Sequence, residues 1–134
     1  MIKRFVGAAL LLLPMPAGAV NWIELSRTSN GSIVYGDTQT FGTTGVIGRI
    51  WVKFDHRNNR SRKERESVEF WKFNCENKTI FVASSTSYNA IGTVIGSRAL
   101  PESEVLYDPV VPGSIAETVM GYACSAYNYA RRNE

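Results

Sequence analysis

The stretch Ser67-Val-Glu-Phe-Trp-Lys-Phe-Asn-Cys75-Glu-Asn-Lys-Thr-Ile-Phe-Val-Ala83 decides how the chain is read. Side chains on a strand alternate between faces, so Trp71, Phe73 and Cys75 share one side while Val68 and Phe70 share the other. Neither side is fully polar, which marks a central strand. Glu76-Asn77-Lys78 interrupts the pattern as a tight turn, and Thr79 to Ala83 returns as a second strand. Cys75 closes the first arm of this hairpin, and the only other cysteine of the chain is Cys124.

Upstream, Trp22 to Ser26 and Ser32 to Asp37 read as strands around the turn chemistry of Thr28-Ser-Asn-Gly31. Asp37 is expected to serve the turn after its strand. Thr38 to Gly45 is a connector from which Phe41 is expected to tuck inward. Val46 to Asp55 is the longest strand candidate, with Val46, Ile50, Val52 and Phe54 on one face. Arg49, Lys53 and Asp55 mark its solvent side, and Trp51 shares that polar side half covered. Gly48 breaks the apolar row, which points to a bulge or a close backbone approach.

Downstream, Ile91 to Arg98 is a last strand weakened by two glycines, and Pro101 to Pro109 an irregular crossing segment. Ser114-Ile-Ala-Glu117 is a capping box that opens a helix. Ala116, Val119, Met120, Ala123, Cys124 and Tyr127 recur at helical spacing, and the helix fades near Ala130. Arg131 and Arg132 suit the negative end of its dipole. The order is five or six strands followed by one helix. Short connections require antiparallel pairing, so the fold class is α+β, an antiparallel sheet packed by one C-terminal helix.

The chain has 134 residues, and its 44% hydrophobic and 20% charged content is that of a folded protein. Residues 1–19 stand apart from the fold. Lys3 and Arg4 precede an apolar run from Phe5 to Leu13, and Ala17-Gly18-Ala19 is a small-residue cleavage site, the layout of a signal peptide. A membrane span would need about 20 apolar residues, and this run stops at Pro14 and Pro16. The expected mature chain, residues 20–134, is a single domain without a membrane span, bound for the periplasm, the medium or the cell surface. Without Lys3 and Arg4, 13 basic residues face 12 acidic ones, which gives no case for nucleic-acid binding.

Export places two cysteines where thiols oxidise, and an even count favours a Cys75–Cys124 disulfide. Closing a loop of 48 intervening residues stabilises by roughly 4 kcal/mol in the chain-entropy model. Two cysteines and the lone His56 cannot furnish a closed zinc site. No phosphate loop, nucleophile elbow or cofactor motif occurs, and the carboxylates Asp37, Asp55 and Asp108 are scattered. His56, beside a charged loop, reads as solvent-exposed rather than as a general base. The chain therefore reads as non-enzymatic.

The sharper feature is the run from His56 to Glu66, read as an exposed, mobile loop. Arg57, Arg60, Arg62, Lys63 and Arg65 concentrate charge that the near-neutral whole lacks, and arginine forks onto sulfate, phosphate and carboxylate. The loop is the candidate site for an anionic glycan. Runs of this kind more often simply keep a sheet edge solvated. Trp22 and Trp51 read as core or half-core, with a stacking surface as the lesser role.

Taken together, Trp22, Tyr35-Gly-Asp37, Ile50-Trp-Val-Lys53, Phe73-Asn-Cys75, Gly92-Thr-Val-Ile95, Pro112-Gly-Ser114 and Cys124 resemble the bacterial surface-adhesin protein E-like domain. The resemblance implies a six-stranded antiparallel sheet with a helix held by the disulfide, and a module that binds host extracellular-matrix and plasma proteins. The signal peptide lacks the lipoprotein cysteine, and the arginine-rich loop has no match in the family pattern, so no adhesive residue carries over. A periplasmic structural or accessory protein of the envelope is the alternative role.

Overall fold

The computed structural model of the protein describes residues 20–101 and 106–133. The signal-peptide reading and Glu102–Val105 of the crossing segment lie outside these residues. Eight strands form one antiparallel sheet: β1 (Trp22–Arg27), β2 (Ile33–Asp37), β3 (Gly42–Thr44), β4 (Ile47–Asp55), β5 (Glu66–Asn74), β6 (Thr79–Tyr88), β7 (Val94–Ala99) and β8 (Asp108–Pro109). Their lateral order is β1-β2-β4-β5-β6-β7, with β3 on β4 and β8 on β6. The strand count exceeds the expected five or six because β3 and β8 are too short to show a period in sequence.

The expected hairpin is β5–β6. Its turn is drawn tight by Asn74, whose side-chain oxygen accepts from the Glu76 and Asn77 amides at 3.0 and 3.2 Å. The Lys78 amide donates to the Asn74 carbonyl at 2.9 Å, and Lys78 takes up a left-handed φ of 57°. β6, with 10 residues, is the longest strand, one more than β4. β4 begins at Ile47, so Val46 belongs to the preceding turn.

β2 and β3 both pair with β4, Ile33–Gly36 against Val52–Asp55 and Gly42–Thr44 against Ile47–Arg49, along the edge opposite β5. They form one interrupted line from which residues 38–41 loop out. Asp37, almost fully buried, organises that excursion by accepting from the Asn21 and Gln39 amides, both at 3.0 Å, and from the Thr40 hydroxyl at 2.5 Å. The excursion carries Phe41 away from the core. It is 36% exposed, contrary to the expected inward tuck.

One sheet face supplies Val34, Ile50, Val52, Trp71, Phe73 and Cys75 to the core, and Val119, Ala123 and Cys124 cover them. The expected single helix is two, α1 (Ile115–Ala123) and α2 (Ser125–Arg132), divided at Cys124. Cys124 both closes α1, its amide reaching the Met120 carbonyl at 2.8 Å, and opens α2, its carbonyl accepting from the Asn128 amide at 2.9 Å. The division falls where the helical segment is pinned. Cys124 is bonded to Cys75 with 5.7 Å between Cα atoms, and the Ala123 carbonyl rests against Gly48. A Cβ on Gly48 would stand 2.7 Å from that oxygen, so the close-approach reading of this glycine is the one realised.

The start of α1 is half a capping box. The Ser114 hydroxyl accepts from the Glu117 amide at 3.3 Å, but the Glu117 carboxylate accepts from Gly113 at 3.4 Å instead of Ser114. The Ser114 amide is already committed to the Val111 carbonyl at 3.2 Å.

Candidate binding surface

The loop from His56 to Arg65 is not free-standing. His56 is 4% exposed, and Ser32, Asn59 and Ser67 are buried around it. This corrects the expectation of a solvent-exposed histidine. The Ser32 hydroxyl lies 2.7 Å from His56 Nδ1 and accepts from the Asn59 side-chain amide at 2.8 Å. On the other side of the ring, Nε2 lies 3.4 Å from Ser67 Oγ. Backbone bonds complete the anchoring: His56 N to Arg65 O at 2.8 Å, Arg65 N to Tyr88 O at 2.9 Å and Asn59 N to His56 O at 3.0 Å. Gly31 admits the loop from below, since a Cβ there would meet the Asn58 carbonyl oxygen at 2.6 Å.

A serine and a histidine in contact are the raw material of a hydrolase. Here the serine is 1% exposed and its oxygen is shared with Asn59, so the pair orients the loop from inside the fold.

The five loop cations separate into distinct groups. Arg57 grips Asp55 with Nε 2.8 Å from Oδ2 and Nη2 2.5 Å from the same oxygen, a fork that holds the carboxylate well below its usual range. Arg62 lies 3.8 Å from Glu64. Arg60, Lys63 and Arg65 are exposed and form no ion pair among the described residues.

The sheet face away from the helices adds a feature that sequence reading did not assemble. The Lys53 ammonium lies 4.9 Å from the Trp22 ring centroid and 5.0 Å from that of Tyr35. Trp51 pairs across the ladder with Phe70 at 4.9 Å and remains 37% exposed. A hollow of about 330 Å³ between Tyr35, Lys53, Arg57 and Arg65 joins this face to the loop. The alternation of β4 already placed Trp51 and Lys53 together. Bringing Trp22 and Tyr35 beside them required the strand order.

Stability is expected to fall in two steps on acidification. Burial, and then the nearby Arg62, push His56 below its ordinary value of 6.5, against the opposing pull of Glu64, Asp55 and Glu69. The folded state thus favours the neutral ring. Its contribution is full above pH 6.5 and is lost as the pH falls through that value towards the folded-state pKa. Burial raises Asp37, but the hydrogen bonds from Thr40, Gln39 and Asn21 outweigh it, so Asp37, like Asp55, stays below 3.8. A second decline therefore begins near pH 3.8. Urea midpoints across both windows check this, and a His56→Asn variant should lack the first step only.

The meander sheet is stapled to the helices on one face and carries rings and cations on the other. The chain belongs to the surface-adhesin protein E family, whose profile matches residues 22–125. Two solved structures share the fold. Crystal form II of Haemophilus influenzae protein E superposes with a TM-score of 0.53 at 14% identity, covering 85% of this chain and 96% of that one. Protein E from non-typeable Haemophilus influenzae gives 0.52 at 14% identity, covering 87% and 81%. No curated protein sequence matches this chain. No helix among the described residues is long and apolar enough to cross a membrane.

Proposed function

We propose that the protein is a non-enzymatic adhesin-like module, exported by the segment 1–19 and folded as one domain over residues 20–134, which binds anionic glycans or matrix proteins at the cell surface. The observation that carries this reading is the anchored basic loop. Arg60, Lys63 and Arg65 project from a backbone held by His56 and Asn59. A cationic display fixed in advance loses less entropy on binding than a floppy run of the same composition. Arg57 belongs to the scaffold through Asp55, and Arg60, Lys63 and Arg65 are the residues that meet the ligand.

Retention on immobilised heparin tests it. The wild-type protein should be held at low salt and released as ionic strength rises towards physiological, where the Debye length shrinks to about 8 Å. The R60S/K63S/R65S variant should pass through. Its thermal stability should hardly change, because exposed substitutions of this kind cost less than about 0.5 kcal/mol each. Passage of the wild-type protein at low salt, or retention of the variant, overturns the assignment.

A further inference from the structure

A second part of the surface concentrates positive charge with little acid to balance it. The β5–β6 turn and the flank of α2 face each other across the disulfide, leaving a cleft of about 540 Å³ with Cys75 in its lining. Lys78 stands on the turn side, and Arg131 and Arg132 on the helix side. Glu76 is the one acid in that lining among the described residues, and no ion pair joins it to any of the three cations. We propose that this cleft binds a tetrahedral oxyanion, a phosphate or sulfate group, held by the two guanidinium groups and the Lys78 ammonium.

Charge selects the class. Three cations against one carboxylate leave a surplus of two positive charges in the lining, which a dianion cancels and a single carboxylate does not. Geometry supports it, because the walls are fixed before any ligand arrives. Arg131 donates to the Tyr127 hydroxyl at 3.1 Å and stacks 5.5 Å from that ring's centroid. The opposite wall is set by Asn74, by the bond from the Val110 amide to the Lys78 carbonyl at 3.0 Å, and by the disulfide between the walls. Lys78 holds a left-handed φ of 57° that a glycine would adopt without the Cβ clash. Arginines at a helix C-terminus also complement its dipole. That role predicts no anion binding and concerns neither Lys78 nor the cleft.

Amide signals of the ¹⁵N-labelled, oxidised protein, titrated with inorganic phosphate and with inorganic sulfate at constant ionic strength in chloride, test the site. Saturable shifts are expected at Glu76–Lys78 and Asn128–Arg132. The K78G/R132Q variant should weaken binding at least tenfold. Its glycine keeps the turn conformation, so its spectrum should otherwise be native. The R60S/K63S/R65S loop variant should titrate like wild type, which separates this site from the proposed glycan loop. In competition, displacement of the protein from phosphatidic acid vesicles, whose headgroup is a phosphate monoester, by inorganic phosphate assigns the oxyanion to a lipid headgroup. Competition with a soluble phosphate monoester alone assigns it to a soluble ligand. Shifts that never saturate, that persist in K78G/R132Q, or that vanish in the loop variant overturn the proposal.

Discussion

Reduction of the Cys75–Cys124 disulfide is expected to lower stability by about 2–5 kcal/mol. The bond spans 49 residues, so its loss releases a large unfolded-state loop. The folded side of the balance points the same way. α2 contributes no buried residue, and its attachment rests on Tyr127, on its contact with β3 and on the covalent link at Cys124. Without that link the C-terminal helix should fray before the sheet melts. Urea midpoints of the oxidised and reduced protein measure the effect, and coincident midpoints would show that the staple contributes nothing. The C75S/C124S variant should be weaker still than the reduced protein. It places two hydroxyls at positions 7% and 1% exposed, where an unpartnered polar group costs about 1–3 kcal/mol.

Gly48→Val is expected to destabilise by about 3 kcal/mol, the upper end of typical overpacking costs. The new Cβ would lie 2.7 Å from the Ala123 oxygen, 3.0 Å from its carbon and 3.1 Å from Cys124 Sγ. Two of these atoms are backbone and the third is locked in the disulfide, so none swings aside. Gly96→Val on β7 is the matched control, since nothing lies within 4 Å of its Cβ position. Valine favours strands, and there the change should be close to neutral. A thermal midpoint for Gly48→Val equal to that of Gly96→Val would show that the helix does not seat on this glycine.

Alternation and capping made much of the fold legible in the sequence, because each rests on residues close together in the chain. Trp71, Phe73 and Cys75 point into the core as their period requires, and Val119, Ala123 and Cys124 answer from the helix at theirs. What stayed hidden depends on partners far apart. His56 is satisfied by Ser32, 24 residues earlier, and Ser67, 11 residues later. Small polar residues carry no period that betrays such a meeting, so the segment reads as solvated. The division of the helix at Cys124 was equally silent, since it falls where the chain meets Gly48 and Cys75 and not at a proline. For the candidate site, local composition displayed the loop cations but not their division of labour. Arg57 stands only two residues from Asp55, yet the fork between them depends on a turn geometry that spacing does not reveal.

The lateral order β1-β2-β4-β5-β6-β7 follows the order of the chain. Each strand on this path therefore finds its neighbour just completed, and among the described residues β8 is the one strand that returns late, to the start of β6. Local pairings of this kind close in microseconds to milliseconds and keep the search short. The larger exception is the helical segment, which comes last and must cross back to β1, β4 and β5. Maturation is thus expected to run in two beats, a sheet that assembles as fast as it is delivered and a slower oxidation that waits for Cys124. An oxidant-starved compartment would accumulate a form with its meander complete and its helix undocked, recognisable by native strand protection in hydrogen exchange beside unprotected amides in α1 and α2.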